Sequence, residues 1–270
     1  MKNEKNHVGV LRKTFQILSS FRSRPDGLTL ADISNLTAIN KSTAHRLLFH
    51  LVAEGFLQRE NGRYRIGQGL FQLGILAPEP LALLKAAYPV MADLAREIGE
   101  TINLAILDRV EILILHSMES PHEFRMAAKV GSRRPFYVTA LGKAIAAFLA
   151  QDKQEATLHS ITIPFEHQTP NSIQDFIRLR EELSGVMDRG YAVDNEEAVL
   201  GARAVGAPVF AGSGEVVAAL SVSGPVSRIS FEHVLAIASH VVRAADSVTT
   251  TLGGDPELSR QVVRFSFAAL

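Results

Sequence analysis

Apolar positions along the chain follow two periodicities, and the points where one replaces the other predict the elements. Leu11, Phe15, Leu18 and Phe21 recur at helical spacing, so a first helix is expected over 10–21. Pro25-Asp26-Gly27 is a turn signal. Thr29 then offers a hydroxyl to cap a short helix with apolar positions Leu30, Ile33 and Leu36, followed by Ile39 in the next turn. Asn40 is placed to cap a third helix over 41–54 that buries Ala44, Leu47, Leu48 and Leu51 and ends at Gly55. Here the period shortens to two. Segments 56–59 and 63–66 read as strands around Glu60-Asn61-Gly62, a tight-hairpin signal. A hairpin directly behind two short helices at a tight turn is the wing of a winged helix-turn-helix.

Glycines and prolines interrupt the pattern between 67 and 80, which places a boundary and a linker helix there. A helix over 81–98 stops at Gly99. Strands follow over 102–107 and 112–115, joined by 108–111 as an antiparallel hairpin, with a third strand expected over 124–128. Thr139 caps a helix over 140–149, and a second amphipathic helix covers 172–189 up to Gly190. Strands over 202–210 and 216–222 flank the Ala211-Gly212-Ser213-Gly214 turn, and the last helix covers 231–252. An antiparallel sheet with helices beside it predicts an α+β sensor domain. The expected organisation is a DNA-binding domain over 1–68, a linker over 69–80, an effector-binding domain over 81–254 and a tail over 255–270.

Composition narrows the class. A chain of 270 residues suits two cores better than one, and 47% hydrophobic with 21% charged residues is the balance of a folded globular protein. No apolar run approaches the roughly 20 residues of a membrane helix, and no signal-like apolar segment follows the polar, Lys-rich 1–7, so a cytoplasmic protein without membrane contact is expected. The absence of cysteine excludes disulfides, thiolate metal sites and cysteine nucleophiles. The formal charge of zero hides a division. Residues 1–68 carry 11 Lys and Arg against 5 Asp and Glu, and the remainder carries 17 against 23. A basic module joined to an acidic one points to the first alone meeting a polyanion, double-stranded DNA.

In a winged helix-turn-helix the third helix turns its first residues toward base edges. The candidate DNA-reading residues are therefore Lys41, Ser42, Thr43, His45 and Arg46, with Arg63 and Arg65 on the wing directed at phosphates or the minor groove. Arg46 leads, since a guanidinium either pairs bidentately with guanine or clamps a phosphate. Catalytic signatures are missing. There is no Gly-x-Ser-x-Gly elbow, and Leu141-Gly142-Lys143-Ala144 lacks both the preceding glycine and the following hydroxyl of a phosphate-binding loop. His116, His122, His159, His167, His233 and His240 are dispersed, with no carboxylates at metal spacing. No catalytic residue, metal or cofactor is expected.

Seven segments carry a further signal through their order: KSTAHRLL from Lys41, GRYRIG from Gly62, GETINLA from Gly99, GSRRPFYVTALGKA from Gly131, GYAVDNEE from Gly190, APV from Ala207 and ALSVSGP from Ala219. Together they resemble the IclR-type (isocitrate-lyase-regulator) transcription regulators along nearly the whole chain. The resemblance implies a homodimer, often paired into tetramers, that binds an operator, with repression favoured over activation. It also implies a GAF-like C-terminal domain holding a small polar effector, commonly an organic acid of a catabolic pathway. The residues that correspond to the family's effector pocket are Ala140, Leu141, Asp194, Ala204, Ser221 and Ser223. Free N–H groups at the start of the helix after Thr139, together with serine hydroxyls, suit a carboxylate. Ala204 departs from the pattern, because many members carry cysteine there; a thiol contact is lost and the ligand is expected to differ.

Plainer roles stand beside these. Strand serines often satisfy backbone groups, Asp194 suits a turn or helix cap, and Arg133 with Arg134 is either an anion site or a solvated or inter-domain pair. Two rival functions remain: a metabolite-processing enzyme with an appended DNA-binding domain, and a structural DNA-binding protein that needs no ligand.

Overall fold

The computed structural model describes residues 2–21, 24, 26–76, 78–257 and 259–261. The chain separates into two compact units, Met1–Leu81 and Ala82–Leu270. Pro25 of the expected turn and residues 262–270 of the expected tail lie outside the described residues.

The first unit contains α1 (Lys2–Ser20), β1 (Leu28–Thr29), α2 (Leu30–Thr37), α3 (Lys41–Ala53), β2 (Leu57–Glu60), β3 (Arg63–Ile66) and α4 (Gln68–Ile75). Thr29 and Asp32 cap α2 reciprocally: the hydroxyl accepts from Asp32 N at 3.2 Å, and the carboxylate accepts from Thr29 N at 3.0 Å. Asn40 Oδ1 accepts from Thr43 N at 2.8 Å and starts α3. Asn61 and Gly62 both take positive φ, 48° and 75°, the left-handed turn that matches the twist of a hairpin. Leu28 pairs with Tyr64, so β1 adds a third strand too short to show any periodicity.

The expected stripe on the first helix is corrected. Leu11 and Phe15 are 58% and 63% exposed, and the buried positions are Ile17 and Phe21. The helix begins well before residue 10, and among its described side chains those at the C-terminal end meet the core with Ile33, Leu48 and Leu57. Leu36 is also exposed rather than buried.

The unit boundary falls in the first turn of α5 (Pro78–Ile98). Then come β4 (Thr101–Asp108), β5 (Glu111–Met118), β6 (Arg133–Pro135), a 3-10 turn (Phe136–Val138), α6 (Ala140–Ala147), α7 (Gln151–His159) and α8 (Phe176–Arg189). After them follow β7 (Ala192–Asn195), β8 (Ala202–Phe210), β9 (Val216–Pro225) and α9 (Phe231–Thr251). The six strands form an antiparallel sheet in the order β6-β5-β4-β9-β8-β7. Alternation sorts its side chains into two layers. Ile102 and Leu104 of β4, Val205 and Val209 of β8, and Leu220 and Val222 of β9 pack against α5 and α9. The intervening positions, such as Ala105, Ile114 and Ala219, face α6 and α8.

Gly206 lets α6 lie against that second face, and Gly142 lets it fold back onto the 3-10 turn before it. A Cβ on Gly142 would stand 2.2 Å from the carbonyl oxygen of Phe136, and one on Gly206 of β8 would stand 2.9 Å from the carbonyl of Ala140. Thr139 caps the helix, its hydroxyl accepting from Gly142 N at 3.0 Å. No single helix among the described residues is long and apolar enough to cross a membrane.

Residues 124–128 are not a strand, contrary to the sequence expectation; the third strand of this hairpin layer is β6. Side chains hold the 124–128 segment in place of a ladder. Thr101 Oγ1 donates to Met126 O at 2.5 Å, and an Arg228 N–H donates to Phe124 O at 3.0 Å. The helix expected over 172–189 starts only at Phe176, where Asp175 caps it by accepting from Arg178 N at 2.8 Å. The helix expected over 140–149 ends at Ala147, and α7 and β7 are additions. Within α7 only Gln154 and Leu158 are buried, which leaves no apolar stripe to read.

Gly142→Ala is expected to destabilise the second unit by about 1 to 3 kcal/mol, the cost of overpacking where only backbone is available to move. Urea unfolding of the full chain reads this as a lower midpoint, and an unchanged midpoint would contradict the close approach of α6.

Candidate functional site

In the first unit, α3 presents Lys41, Ser42, His45 and Arg46 to solvent, while Ala44, Leu47, Leu48 and Leu51 anchor it. Thr43 is half-buried, and the Ser42 hydroxyl donates to Asn40 Oδ1 at 3.0 Å, so these two belong partly to the cap. Arg63 and Arg65 flank buried Tyr64 on the wing, but each already has a partner within the module. Arg63 donates to Gly27 O at 3.1 Å and Arg65 to Asp26 O at 3.2 Å, with Glu60 at 3.6 Å from Arg65.

In the second unit, strand register gathers residues that are far apart in sequence. Asp194 pairs with Ala204, Ala204 with Ser223, and Ser223 with Thr101; one step along, Gly206 pairs with Ser221 and Ser221 with Asn103. Directly opposed residues in antiparallel strands share a face. Both rows therefore lie on the α6 side, under the helix start that Gly206 admits. Between them is a cavity of about 550 Å³ whose walls include all six expected positions: Ala140, Leu141, Asp194, Ala204, Ser221 and Ser223. The 124–128 segment forms part of another wall, through Met126, Ala127 and Ala128.

A polar chain crosses the floor. Ser117 Oγ donates to Asn103 Oδ1 at 2.8 Å, and Asn103 Nδ2 donates to Ser223 Oγ at 3.1 Å. Because Ser223 receives this bond, its own proton is free to point into the cavity.

Behind the cavity, the one charge on α6 is buried: Lys143 is 1% exposed. Its ammonium donates to Val193 O at 2.7 Å and Glu197 Oε1 at 2.6 Å, with Glu182 Oε1 at 3.4 Å. Asp194, 7% exposed, accepts from Glu197 N at 2.8 Å and Ala198 N at 3.2 Å through Oδ1. It is thus both a turn cap and a cavity wall. Burial, and then the negative charge of Glu197, push the Asp194 carboxyl up to about 7, against the pull of Lys143 and the two N–H groups. Near neutrality it is poised between acid and carboxylate, so it can donate or accept. The N–H groups at the start of α6, the serine hydroxyls and Asp194 together suit an oxyanion with a second polar group.

Residues 10–61 match the IclR helix-turn-helix domain, and residues 78–250 match the bacterial transcriptional regulator IclR C-terminal family. The chain belongs to the IclR family. The transcriptional repressor IclR of Escherichia coli is 31% identical over 252 residues, covering 92% of this chain and 91% of that one. The regulator KdgR of Escherichia coli is 31% identical over 249 residues, 91% and 93% of the two chains. Among solved structures, an IclR homologue from Microbacterium hydrocarbonoxydans in complex with 4-hydroxybenzoate matches with a TM-score of 0.78 at 26% identity, covering 90% of this chain and 98% of that one. Thermotoga maritima IclR matches with a TM-score of 0.73 at 28% identity, covering 92% and 100%. As an IclR-family protein the chain is a DNA-binding transcriptional regulator with an effector domain, and it is not an enzyme. The helix-turn-helix followed by an α+β domain with a curled antiparallel sheet is the architecture of these relatives.

Sequence reasoning on this IclR-family chain missed Asn103, Lys143 and Glu197. For Lys143 a signal existed: it is the sole charge in Ala140–Ala147, a helix apolar on every side, and such a helix is buried all round. Glu196 and Glu197 are not on a helix; Glu196 takes a φ of 60°, and Glu197 turns inward to Lys143. Among the described residues, no group of three or more His, Asp or Glu is placed to hold a metal ion.

The raised carboxyl of Asp194 makes a stability prediction with a definite sign. The native state holds this proton up to about pH 7, whereas the unfolded chain releases it near 3.8, so the native state binds more protons between the two values. The contribution of Asp194 to stability is therefore complete below about pH 4 and is lost as pH rises through about 7. Asp194→Asn keeps an Oδ1 acceptor for the turn and cannot ionise. Relative to wild type the variant should gain stability steadily across this window, by a few kcal/mol (on the order of 3) at pH 8. Denaturant unfolding at a series of pH values measures the difference; a pH-independent difference would mean that Asp194 titrates normally.

Proposed function

We propose that this IclR-family protein is a repressor of a catabolic operon, and that a small carboxylate entering the cavity under α6 shifts its affinity for the operator. The observation that carries the reading is the convergence of the α6 start, Ser221, Ser223 and Asp194 on a single cavity of about 550 Å³, a size typical of small-molecule sites. In this reading the effector carboxylate accepts from the N–H groups at Ala140 and Leu141 and from the two serines. Asp194 takes a hydroxyl or carbonyl at the other side, and Ala204 leaves space where many relatives have a cysteine. We read the domain as GAF-like, and the protein as a cytoplasmic homodimer that pairs into tetramers. Relatives with repressor names, and the Microbacterium homologue bound to 4-hydroxybenzoate, support the assignment.

On the DNA side, Lys41, Ser42, Thr43 and His45 are assigned to the major groove with Arg46 as the leading base contact. Arg63 and Arg65 are assigned to the backbone beside the wing. The exposure of Lys41, Ser42, His45 and Arg46 on the first turns of α3 supports this, as does the positive charge of residues 1–68.

Isothermal titration of the full chain with a panel of carboxylic acids, 4-hydroxybenzoate among them, tests the cavity. Ser221→Ala combined with Ser223→Ala should remove most of the affinity for any acid that binds, since a hydrogen bond to a charged group contributes roughly 1.5 to 3 kcal/mol. Full affinity in the double variant, with the fold intact by circular dichroism, would place the acid elsewhere.

Arg46→Ala should weaken binding to the operator by roughly 1 to 3 kcal/mol, leaving thermal stability unchanged. Fluorescence anisotropy with a specific and a scrambled duplex reads both specificity and affinity. Equal loss on the two duplexes would make Arg46 a phosphate clamp; no loss on either would remove it from the interface.

A further inference from the structure

The carboxylate reading concerns one end of the cavity, and the opposite end has a chemistry of its own. Ile112 of β5 faces α6, and its cross-strand partner on β6 is Arg134, so Arg134 stands on the same face. Both line the cavity. Between Ser221 and Ser223 on β9 and Arg134 on β6 lie β4 and β5, three strand spacings of roughly 4.8 Å, or about 14 Å between backbones. The intervening side walls carry the apolar side chains of Ile112, Ile114, Met126 and Leu141, with the Asn103 amide on the floor.

The other two arginines on these walls are occupied. Arg133 pairs with Asp108 and Glu111. Arg203 is bonded to Asn195 and the Ile229 carbonyl, and its guanidinium stacks 3.9 Å over the Phe231 ring. Arg134 is exposed and has no ion-pair partner among the described residues, and Lys129 at the same rim is exposed as well. The acids near this end are engaged: Glu111 lies 3.6 Å from Arg133, and Glu166 accepts from Gln168 Nε2 at 2.9 Å. A free guanidinium therefore closes one end of a channel with apolar side walls whose other end presents neutral donors.

We infer that Arg134 is a specificity-determining residue that takes a second anionic group of the effector, which is accordingly a dicarboxylate or similar dianion with an apolar middle. The inference rests on the carboxylate reading of the α6 end. The Arg134 fork meets a planar carboxylate with two parallel bonds, whereas Lys129 adds only a point charge. A two- or three-carbon acid occupies one end and leaves Arg134 unused.

The test titrates full-length protein with matched pairs: terephthalate against benzoate, and straight-chain diacids against monoacids of the same length. Diacids are expected to bind about ten- to a hundredfold tighter than their monoacids, the range for one added charge-assisted bond. Arg134→Gln should bring each diacid down to the level of its monoacid and leave the monoacids unchanged, and Arg134→Lys should recover part of the preference. Added salt should narrow it, because the rim is exposed. Equal affinity for diacids and monoacids in wild type, or a preference that survives Arg134→Gln, overturns the inference while the carboxylate end stands. Failure of every acid to bind overturns the carboxylate reading itself, and this inference with it.

Discussion

The effector domain depends on how closely the start of α6 approaches the sheet. Two backbones meet there with no side chain between them, because position 206 is glycine and a Cβ on it would collide with the Ala140 carbonyl; glycine at 142 in turn lets α6 fold tightly onto the 3-10 turn at Phe136. That contact sets the roof of the cavity. It brings the first N–H groups of α6 over the row of Ser221 and Ser223, and it carries Lys143 inward behind them. A helix start offers donors only to what lies directly before it, so a displacement of one side chain's thickness would leave those N–H groups facing no site at all.

Burial of Lys143 follows from this approach and governs the charges around it. A lone ammonium in such a place would be costly, and the chain surrounds it with the Val193 carbonyl, Glu197 and Glu182. Those bonds tie α6 to β7, which carries Asp194, and to the turn after it. Asp194 is buried and faces the negative charge of Glu197, and these two effects outweigh the pull of Lys143, which explains its raised carboxyl. The α6 side of the cavity and the integrity of the β7 edge thus share one network. The 124–128 wall is different in kind. It is held by a few side-chain bonds to its carbonyls in place of a ladder, which makes it the wall most readily opened.

The DNA-binding module is assembled by shorter-range rules. Its two caps use residues three positions apart, its hairpin turn is decided by Asn61 and Gly62, and its core draws on α1, α2, α3 and the wing within about sixty residues. The third helix, α3, is fixed by its buried side, which leaves Lys41, His45 and Arg46 exposed. In the effector domain, by contrast, the floor bond between Asn103 and Ser223 joins positions 120 apart.

That difference of range separates what the sequence by itself determined from what tertiary structure decided. Periodicity, caps and glycine stops located α2, α3, the wing, the β4–β5 hairpin, β8, β9 and α9, because each of those signals acts within a few residues. The six effector positions were legible only through resemblance; nothing local distinguishes Ser221 from a serine that satisfies its strand. Strand register put Asp194, Ala204, Ser221 and Ser223 on one face, together with Asn103, which had not been singled out. Residues 124–128 have the composition of a strand, yet long-range bonds from Thr101 and Arg228 claim their carbonyls, and β6 takes the edge of the sheet instead. Leu11 and Phe15 have helical spacing, but burial depends on what a helix rests against, and only the end of α1 rests on the core. Local patterns specify elements because their energetics are local, whereas faces, charge partners and cavities exist only after distant strands have paired.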